Sequence, residues 1–311
     1  MSWACPAAIA ASSPLTIWQT CYGAHLEAID LGAGMTDGES WREGSVVRLS
    51  SQQVRDFHER GYIHVPGVLT EDELLEIERA YDRFMAAEVP GMGRDLCDMS
   101  GPYDREFEDY ALINAMLPRV YAPALQGNIY EQLASSIAKQ LIGEDISLDY
   151  DQFLAKKPQR PTAQFAWHQD QGYWPAGSPD TRTATCSLAI DDSLRDNGCL
   201  RFLPGSTRSK SLRPHRSTGK NRDESHTLEL EVGPEETVDY VEVKRGGITV
   251  HDEWVVHGSA GNPSNRWRRT YVVAFRSKAT VEFERALGFT HSHNDEVNWE
   301  TTLGAFQARQ I

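Results

Sequence analysis

The chain has 311 residues, 40% of them hydrophobic and 24% charged, which places it among ordinary globular proteins and apart from disordered, collagenous or disulfide-stapled chains. Asp and Glu number 45 against 31 Lys and Arg, and the net charge of −14 opposes binding to nucleic acid or to anionic lipid. Five cysteines, at positions 5, 21, 97, 186 and 199, form an odd set without a C-x-x-C pair, so neither a disulfide framework nor a zinc knuckle is expected and a cytoplasmic location fits.

The first 26 residues carry no charged side chain, but they lack a basic start and are interrupted by Pro6, Ser12, Ser13 and Pro14, unlike a secretory leader. No apolar run reaches the length of a membrane span. Residues 1–49, rich at first in Ala, Ser and Gly, read as an N-terminal extension or lid. Ser50 or Ser51 is placed to cap a helix running to about Arg60, with Gly61 as its stop, and Tyr62 to Val65 read as a short strand before the Pro66-Gly67 turn. Thr70 and Glu73 form a capping box for a second helix, in which Leu74, Ile77, Tyr81 and Phe84 recur at spacings of three and four. The stretch from Val89 to Pro123 has no clear period. A third helix is expected from Asn128 to Leu141, stopped at Gly143.

From Ser147 the pattern changes to short β-branched and aromatic segments separated by turn residues. Strands are expected near 148–156, 163–168, 183–190, 199–203, 227–232, 238–243, 247–251, 254–258 and 269–276. Many short strands without intervening helices predict a mainly β fold with flanking helices: a double-stranded β-helix, or jelly roll, cupin-like in form. The organisation expected is a single domain over 50–277, helical over 50–146 with a jelly-roll core over 147–277, followed by an irregular C-terminal tail, 278–311, packed on that core.

The chemistry-bearing feature is Trp167-His168-Gln169-Asp170. An i,i+2 pair on a strand directs both side chains to one face, so an imidazole nitrogen and a carboxylate oxygen can share a cation. A third donor is available in His257, which follows Trp254-Val255-Val256 and precedes Gly258-Ser259. Two histidines and one carboxylate on one side of a metal leave three positions open, the arrangement suited to non-heme Fe(II) oxygen chemistry, whereas catalytic zinc tends to keep one. On its own His-x-Asp has a structural alternative, with His168 bonded to a neighbouring strand and Asp170 capping a turn. Eleven residues after His257 stands Arg268, and an inward guanidinium there would match a carboxylate bidentately. The neighbouring Arg266 and Arg269 leave open which of the three turns inward.

These residues resemble the phytanoyl-CoA dioxygenase-like family of Fe(II)/2-oxoglutarate oxygenases. Three blocks carry the resemblance: WHQDQGYW from Trp167 to Trp174, DNGCLRFLPGS from Asp196 to Ser206, and HGSAGNPSNRWRR from His257 to Arg269. VRDFHERGYIHVPGVL, from Val54 to Leu69, is similar to the family's opening helix and strand. The resemblance implies His168, Asp170 and His257 as iron ligands, Arg268 as partner of the distal carboxylate of 2-oxoglutarate, and Ser259 as its hydrogen-bonding support. It also implies Gln152, Lys156, Trp174 and Ser187 as residues lining the cosubstrate or substrate pocket. The implied cofactors are Fe(II), 2-oxoglutarate and O2, and the implied reaction oxidises a small-molecule metabolite, by hydroxylation or a related step, with release of succinate and CO2. The family's common Gly-Asp before the distal histidine strand is here Gly246-Gly247, a change at a turn. Retention of Asp170 distinguishes the chain from related halogenases, which have a small residue there.

Two other functions remain to be separated from this one: a metal-binding sensor that retains the triad without turnover, and a zinc hydrolase on a cupin-like barrel. His251 is expected to be a bonded core histidine or a pocket contact, and His291 and His293 to be solvated in the tail. Between 201 and 222 the chain carries Arg201, Arg208, Lys210, Arg213, Arg216, Lys220 and Arg222 and no acidic residue. This stretch either attracts an anionic substrate or pairs with the acidic residues that follow, from Asp223 to Glu242. No feature specifies an oligomeric state.

Overall fold

The computed structural model describes residues 41–298 apart from Arg222. Most of the expected N-terminal extension and the end of the tail lie outside the described residues. The first described elements, β1 (Trp41–Glu43) and β2 (Val46–Arg48), pair as a hairpin.

Helix α1 (Ser51–Arg60) begins where Ser50 accepts the Gln53 backbone N–H and Gln53 returns a bond to the Ser50 backbone. It stops at Gly61, whose φ of 93° is a left-handed cap that a Cβ would disfavour. Strand β3 (Tyr62–Val65) follows, and then α2 (Glu71–Met85), which carries the Thr70/Glu73 capping box and buries Leu74, Ile77, Tyr81 and Phe84. Helix α4 (Ile129–Ile142), capped by Asn128, comes after the short α3 (Pro118–Tyr121) and buries Leu133, Ile137 and Leu141.

The unassigned stretch holds two strands, β4 (Leu96–Asp98) and β5 (Leu112–Met116). All five residues of β5 are buried, so it shows no alternation for a sequence pattern to detect. Seven strands form the larger antiparallel sheet, in the order β3, β13 (Ile248–His251), β8 (Thr183–Ala189), β15 (Arg268–Ser277), β6 (Ile146–Lys156), β5, β4. Four form the smaller: β12 (Asp239–Val241), β9 (Leu200–Phe202), β14 (His257–Ser259) and β7 (Phe165–His168). A two-stranded ribbon pairs β10 (Arg216–Ser217) with β11 (Leu228–Glu229). The two sheets meet through contacts such as Tyr62 stacked on Phe202, ring centroids 4.1 Å apart, and the fold is a jelly roll with flanking helices.

Period-two alternation divides the larger sheet. Phe153, Cys186, Leu188, Val250, Tyr271 and Val273 belong to the main core under α2 and α4, while Gln152, Leu154, Thr185, Ser187, His251, Arg268, Thr270 and Val272 line an interior cavity. Tyr81 and Tyr130 hydroxyls donate from the helices to the carbonyls of Leu154 and Cys186, fastening the helical layer to the sheet.

Two expectations are corrected. The strand expected over 254–258 begins only at His257, because the Asp252 carboxylate accepts the backbone N–H groups of Trp254 and Val255 and holds them in a turn. The segment after Lys278 is not irregular: Lys278–Ala286 is helix α5, and beyond it His291 and His293 are buried, not solvated.

Candidate active site

His168 ends β7 and His257 begins β14, and the two are direct cross-strand partners with ring centroids 4.3 Å apart. Each ring is fixed by its own strand: His168 Nδ1 donates to the Ala166 carbonyl at 2.8 Å and His257 Nδ1 to that of Val255 at 3.0 Å, so both Nε2 atoms present lone pairs. Gly258 permits this approach, since a Cβ there would lie 3.0 Å from the backbone carbonyl oxygens of Ala166 and Phe165. Asp170 Oδ1 lies 3.5 Å from the Nε2 of both histidines. Its Oδ2 accepts from His251 Nε2 at 3.2 Å and Thr185 Oγ1 at 3.3 Å.

Burial pushes the Asp170 carboxyl upward, but His257, His168 and His251 outweigh it and hold the group well below the usual carboxylate range. Burial, together with His168 and His251, pushes His257 well below an ordinary histidine. An anionic carboxylate and neutral imidazoles are the protonation states a divalent cation requires. The donor atoms of His168, Asp170 and His257 converge within 4.8 Å of one another, and two nitrogens with one oxygen fit Fe(II) with positions to spare.

The intervening residue is equally constrained. Gln169 donates its backbone N–H to His215 Nε2 at 3.1 Å, and its amide bonds the Ser211 and Trp254 carbonyls and the Arg213 N–H. Burial lowers His215 to about 4, in keeping with its role as an acceptor. Sequence reasoning missed His215 and Thr185, which lie away from the His-x-Asp in the chain; His251, expected as a bonded core histidine or a pocket contact, is both, though its partner Asp170 was not foreseen.

One compartment beside the triad is lined by Gln152, Ser187, His251, Ser259, Arg268 and Thr270, among others. Arg268 is 3% exposed, and its Nε donates to Ser193 Oγ at 3.2 Å. Among the described residues no carboxylate pairs with it. The alternatives are spoken for: Arg266 pairs with Asp196 on the surface, and Arg269, of opposite strand parity, turns outward to Asp191, Glu78 and Asp82. Lys156, expected to line the pocket, is fully buried and not among the residues that border this compartment; it reaches the site through Ser259, donating to its Oγ at 2.6 Å and to the Ala260 carbonyl. Burial, with Arg268 and Arg201 nearby, holds its ammonium well below the usual lysine range.

A second compartment opens on the other side of His168 and Asp170. It shares Tyr150, Gln152 and Phe165 with the first and adds Met99, Met116, Tyr173, Trp174, His226, Phe289, His291 and His293. Trp174 therefore sits on this side, apart from Arg268, beneath the Arg276 guanidinium at 3.9 Å from its ring centroid.

Much of the basic stretch is paired, although among the described residues Arg208 donates only to the Glu59 carbonyl, and Arg222 lies outside them. Arg213 meets Glu236 and Arg216 meets Glu229, both under 3 Å, Lys210 and Lys220 lie near Asp252 and Glu224, and Arg201 covers the Trp167 ring. Arg213 and Arg216 thus pair with two of the acidic residues that follow the stretch, Glu236 and Glu229.

Residues 57–270 match the family model described as phytanoyl-CoA dioxygenase (PhyH). The chain is 25% identical over 240 residues to an ectoine dioxygenase of Stutzerimonas stutzeri (strain A1501), covering 72% of this chain and 76% of that protein. It is 22% identical to a probable alpha-ketoglutarate-dependent hypophosphite dioxygenase of Stutzerimonas stutzeri, over 73% of this chain and 78% of that protein. Among solved structures it is similar to EvdO2 from Micromonospora carbonacea var. aurantiaca, with a TM-score of 0.61 and 26% identity over 75% of this chain and 92% of that one. The fold is also shared with EctD from S. alaskensis, solved with 2-oxoglutarate and 5-hydroxyectoine, at a TM-score of 0.54 and 18% identity over 78% of this chain and 80% of that one. The family match extends over well more than half of the chain and coincides with the jelly roll, so this protein belongs to the phytanoyl-CoA dioxygenase (PhyH) family.

Proposed function

We propose that the protein is an Fe(II)- and 2-oxoglutarate-dependent dioxygenase in which His168, Asp170 and His257 hold the iron and Arg268 holds the distal carboxylate of 2-oxoglutarate. The observation that carries this reading is a buried guanidinium without a carboxylate partner among the described residues, in the same cavity as the three converging donors. A zinc hydrolase would leave Arg268 without a counter-ion.

Bound iron and 2-oxoglutarate supply the oxidising chemistry, coupling reduction of O2 and release of succinate and CO2 to oxidation of a small-molecule substrate. The chain's own residues do the positioning. Thr185 and His251 occupy Asp170 Oδ2, so that Oδ1 is the oxygen that would hold the metal. Ser259 supports the cosubstrate carboxylate while Lys156, locked onto Ser259, orients its hydroxyl. The Arg268 guanidinium gives that end of the cavity its positive potential. Gln152 borders both compartments, and Phe165, Leu200 and Val272 help exclude water.

The described residues include no helix long and apolar enough to cross a membrane. The buried thiols Cys186 and Cys199 suit a cytoplasmic setting. The test is succinate release screened against a small-metabolite library, followed by mass spectrometry for a gain of one oxygen or a loss of two hydrogens. The reading predicts succinate that depends on both Fe(II) and 2-oxoglutarate; activity that survives complete removal of 2-oxoglutarate, with zinc bound, overturns it.

A further inference from the structure

The substrate-side compartment is built in large part from the C-terminal segment, and its chemistry is set by a group that the iron site does not use. His291 Nε2 donates to Asp149 Oδ2 at 2.7 Å, so in the neutral ring Nδ1 carries the lone pair. Asp149 is itself held by Arg276 at 3.0 Å and Arg285 at 2.6 Å, and Arg276 also binds Glu284 at 2.6 Å. Asp149, Glu284 and His291 lie close enough together to suggest a second metal site, but two guanidinium groups already balance the two carboxylates and occupy their oxygens. The cluster is a clamp on the imidazole.

Three further observations point from this clamp into the cavity. His291 packs against Tyr150 and Phe289, with ring centroids 4.2 and 4.6 Å away, and Tyr150 also borders the compartment of the triad. Nδ1 has no hydrogen-bond partner among the described residues and is not among their sealed polar atoms. His291 also adopts φ of 70°, a left-handed conformation that histidine tolerates better than most side chains but that remains uncommon outside glycine. The described residues lining this compartment include no Lys, Arg or Glu, and their one Asp is Asp170. The remaining surface is aromatic, thioether and histidine, with the uncharged polar groups of Gln152, Ser292 and Asn298.

Building on the oxygenase reading, we propose that this compartment takes an uncharged ring-bearing substrate and that His291 Nδ1 accepts a hydrogen bond from its hydroxyl or N–H group. His291 is then a substrate-positioning residue, and Trp174, Met116 and Phe289 supply apolar contact for the ring. Among the described residues that line this compartment, a carboxylate, phosphate or CoA ester would meet no Lys or Arg, and an ammonium group would meet no carboxylate other than Asp170.

The test uses the protein loaded with Zn(II) and 2-oxoglutarate, a diamagnetic complex that does not turn over, labelled with 15N-histidine. Phenol, benzoate and benzylammonium present one ring with three charges and serve as probes by NMR titration at neutral pH. The expected result is that phenol binds most tightly and shifts the His291 resonance, assigned by its loss in His291→Phe. Removal of the acceptor in His291→Phe should weaken phenol by on the order of 2- to 10-fold. His291→Asn tolerates the left-handed backbone and should weaken phenol similarly while retaining 2-oxoglutarate affinity. Tighter binding of benzoate or benzylammonium, phenol binding unchanged in both variants, or no probe shifting His291 overturns the proposal. Failure of 2-oxoglutarate to bind the zinc-loaded wild type instead overturns the oxygenase reading, so the two are separable.

Discussion

Replacing Arg268 with Met is expected to produce two effects of opposite sign. The guanidinium is 3% exposed, its one hydrogen bond runs to Ser193 Oγ, and burial works against its charge. Its surroundings add the Lys156 amine, whose charge burial and Arg268 also disfavour, and no carboxylate partner among the described residues. An unpaired buried charge destabilises a fold, and removing it with a side chain of similar volume is neutral or favourable. The apo form of Arg268→Met should therefore melt at or above the wild-type temperature. Cosubstrate binding should move the other way. Truncating one partner of a desolvated charge pair costs about 2–5 kcal/mol, or roughly 30- to 5,000-fold in Kd for 2-oxoglutarate. Calorimetric titration of 2-oxoglutarate into anaerobic Mn(II)-loaded protein measures this loss. Thermal melts supply the second readout: at a hundredfold excess over Kd the cosubstrate should add about 2.7 kcal/mol to the wild type and nothing comparable to the variant at the same concentration. Wild-type affinity in Arg268→Met, within twofold, would refute the assignment. A large loss of apo stability would refute the claim that the guanidinium waits for a ligand.

Three other perturbations test separate links of the account. His251→Leu removes a donor from Asp170 Oδ2 while leaving all three metal ligands in place and should weaken Co(II) binding by about 10–100-fold, read from the visible spectrum of Co(II) titrated into apo protein. Gly258→Ala places a Cβ against two carbonyl oxygens of β7, so it should cost about 1–3 kcal/mol in denaturant unfolding and weaken Co(II) binding as His257 is displaced from His168. Asp151→Asn tests a buried carboxyl that burial raises to about 7, against the neighbouring Arg119 and the Tyr271 hydroxyl. A folded pKa above the unfolded one favours the native state below pH 4, and that contribution disappears as pH rises toward 7. The stability advantage of Asp151→Asn over wild type should therefore grow from pH 4 to pH 8, by up to on the order of 4 kcal/mol, as followed by urea denaturation at each pH.

Much of the site was legible because its chemistry rests on short local spacings. His168 and Asp170 stand two residues apart, and the resemblance of the surrounding blocks, more than strand periodicity, singled them out, since β7 ends at His168 and Asp170 opens the turn that follows. The capping residues Thr70 and Glu73 announced α2 without reference to anything distant. The choice among Arg266, Arg268 and Arg269 was also within reach: Arg268 shares strand parity with Thr270 and Val272, whereas Arg269 shares it with Tyr271 and Val273, whose bulk lies under α2 and α4. What escaped depends on contacts far apart in the chain. His251 and Thr185 reach Asp170 from neighbouring strands, and His215 reaches Gln169 from a loop that reads only as basic. His291 and His293 look solvated in a polar stretch, but Asp149 and Asp95, nearly 150 or 200 residues earlier, supply the partners that make their burial possible. Strand β5 escaped for the opposite reason, being buried on both faces and so without a period.

The central claim is that Fe(II) and 2-oxoglutarate meet in the cavity of His168, Asp170, His257 and Arg268. The most direct measurement is release of labelled CO2 from 1-14C-2-oxoglutarate on admission of O2 to the anaerobic protein, without added substrate, in wild type and in Asp170→Ala. The account predicts slow, uncoupled release by the wild type that requires added Fe(II), matches succinate formed mole for mole, and vanishes in Asp170→Ala. Release that is equal in the two proteins, or that proceeds with iron removed, would contradict it.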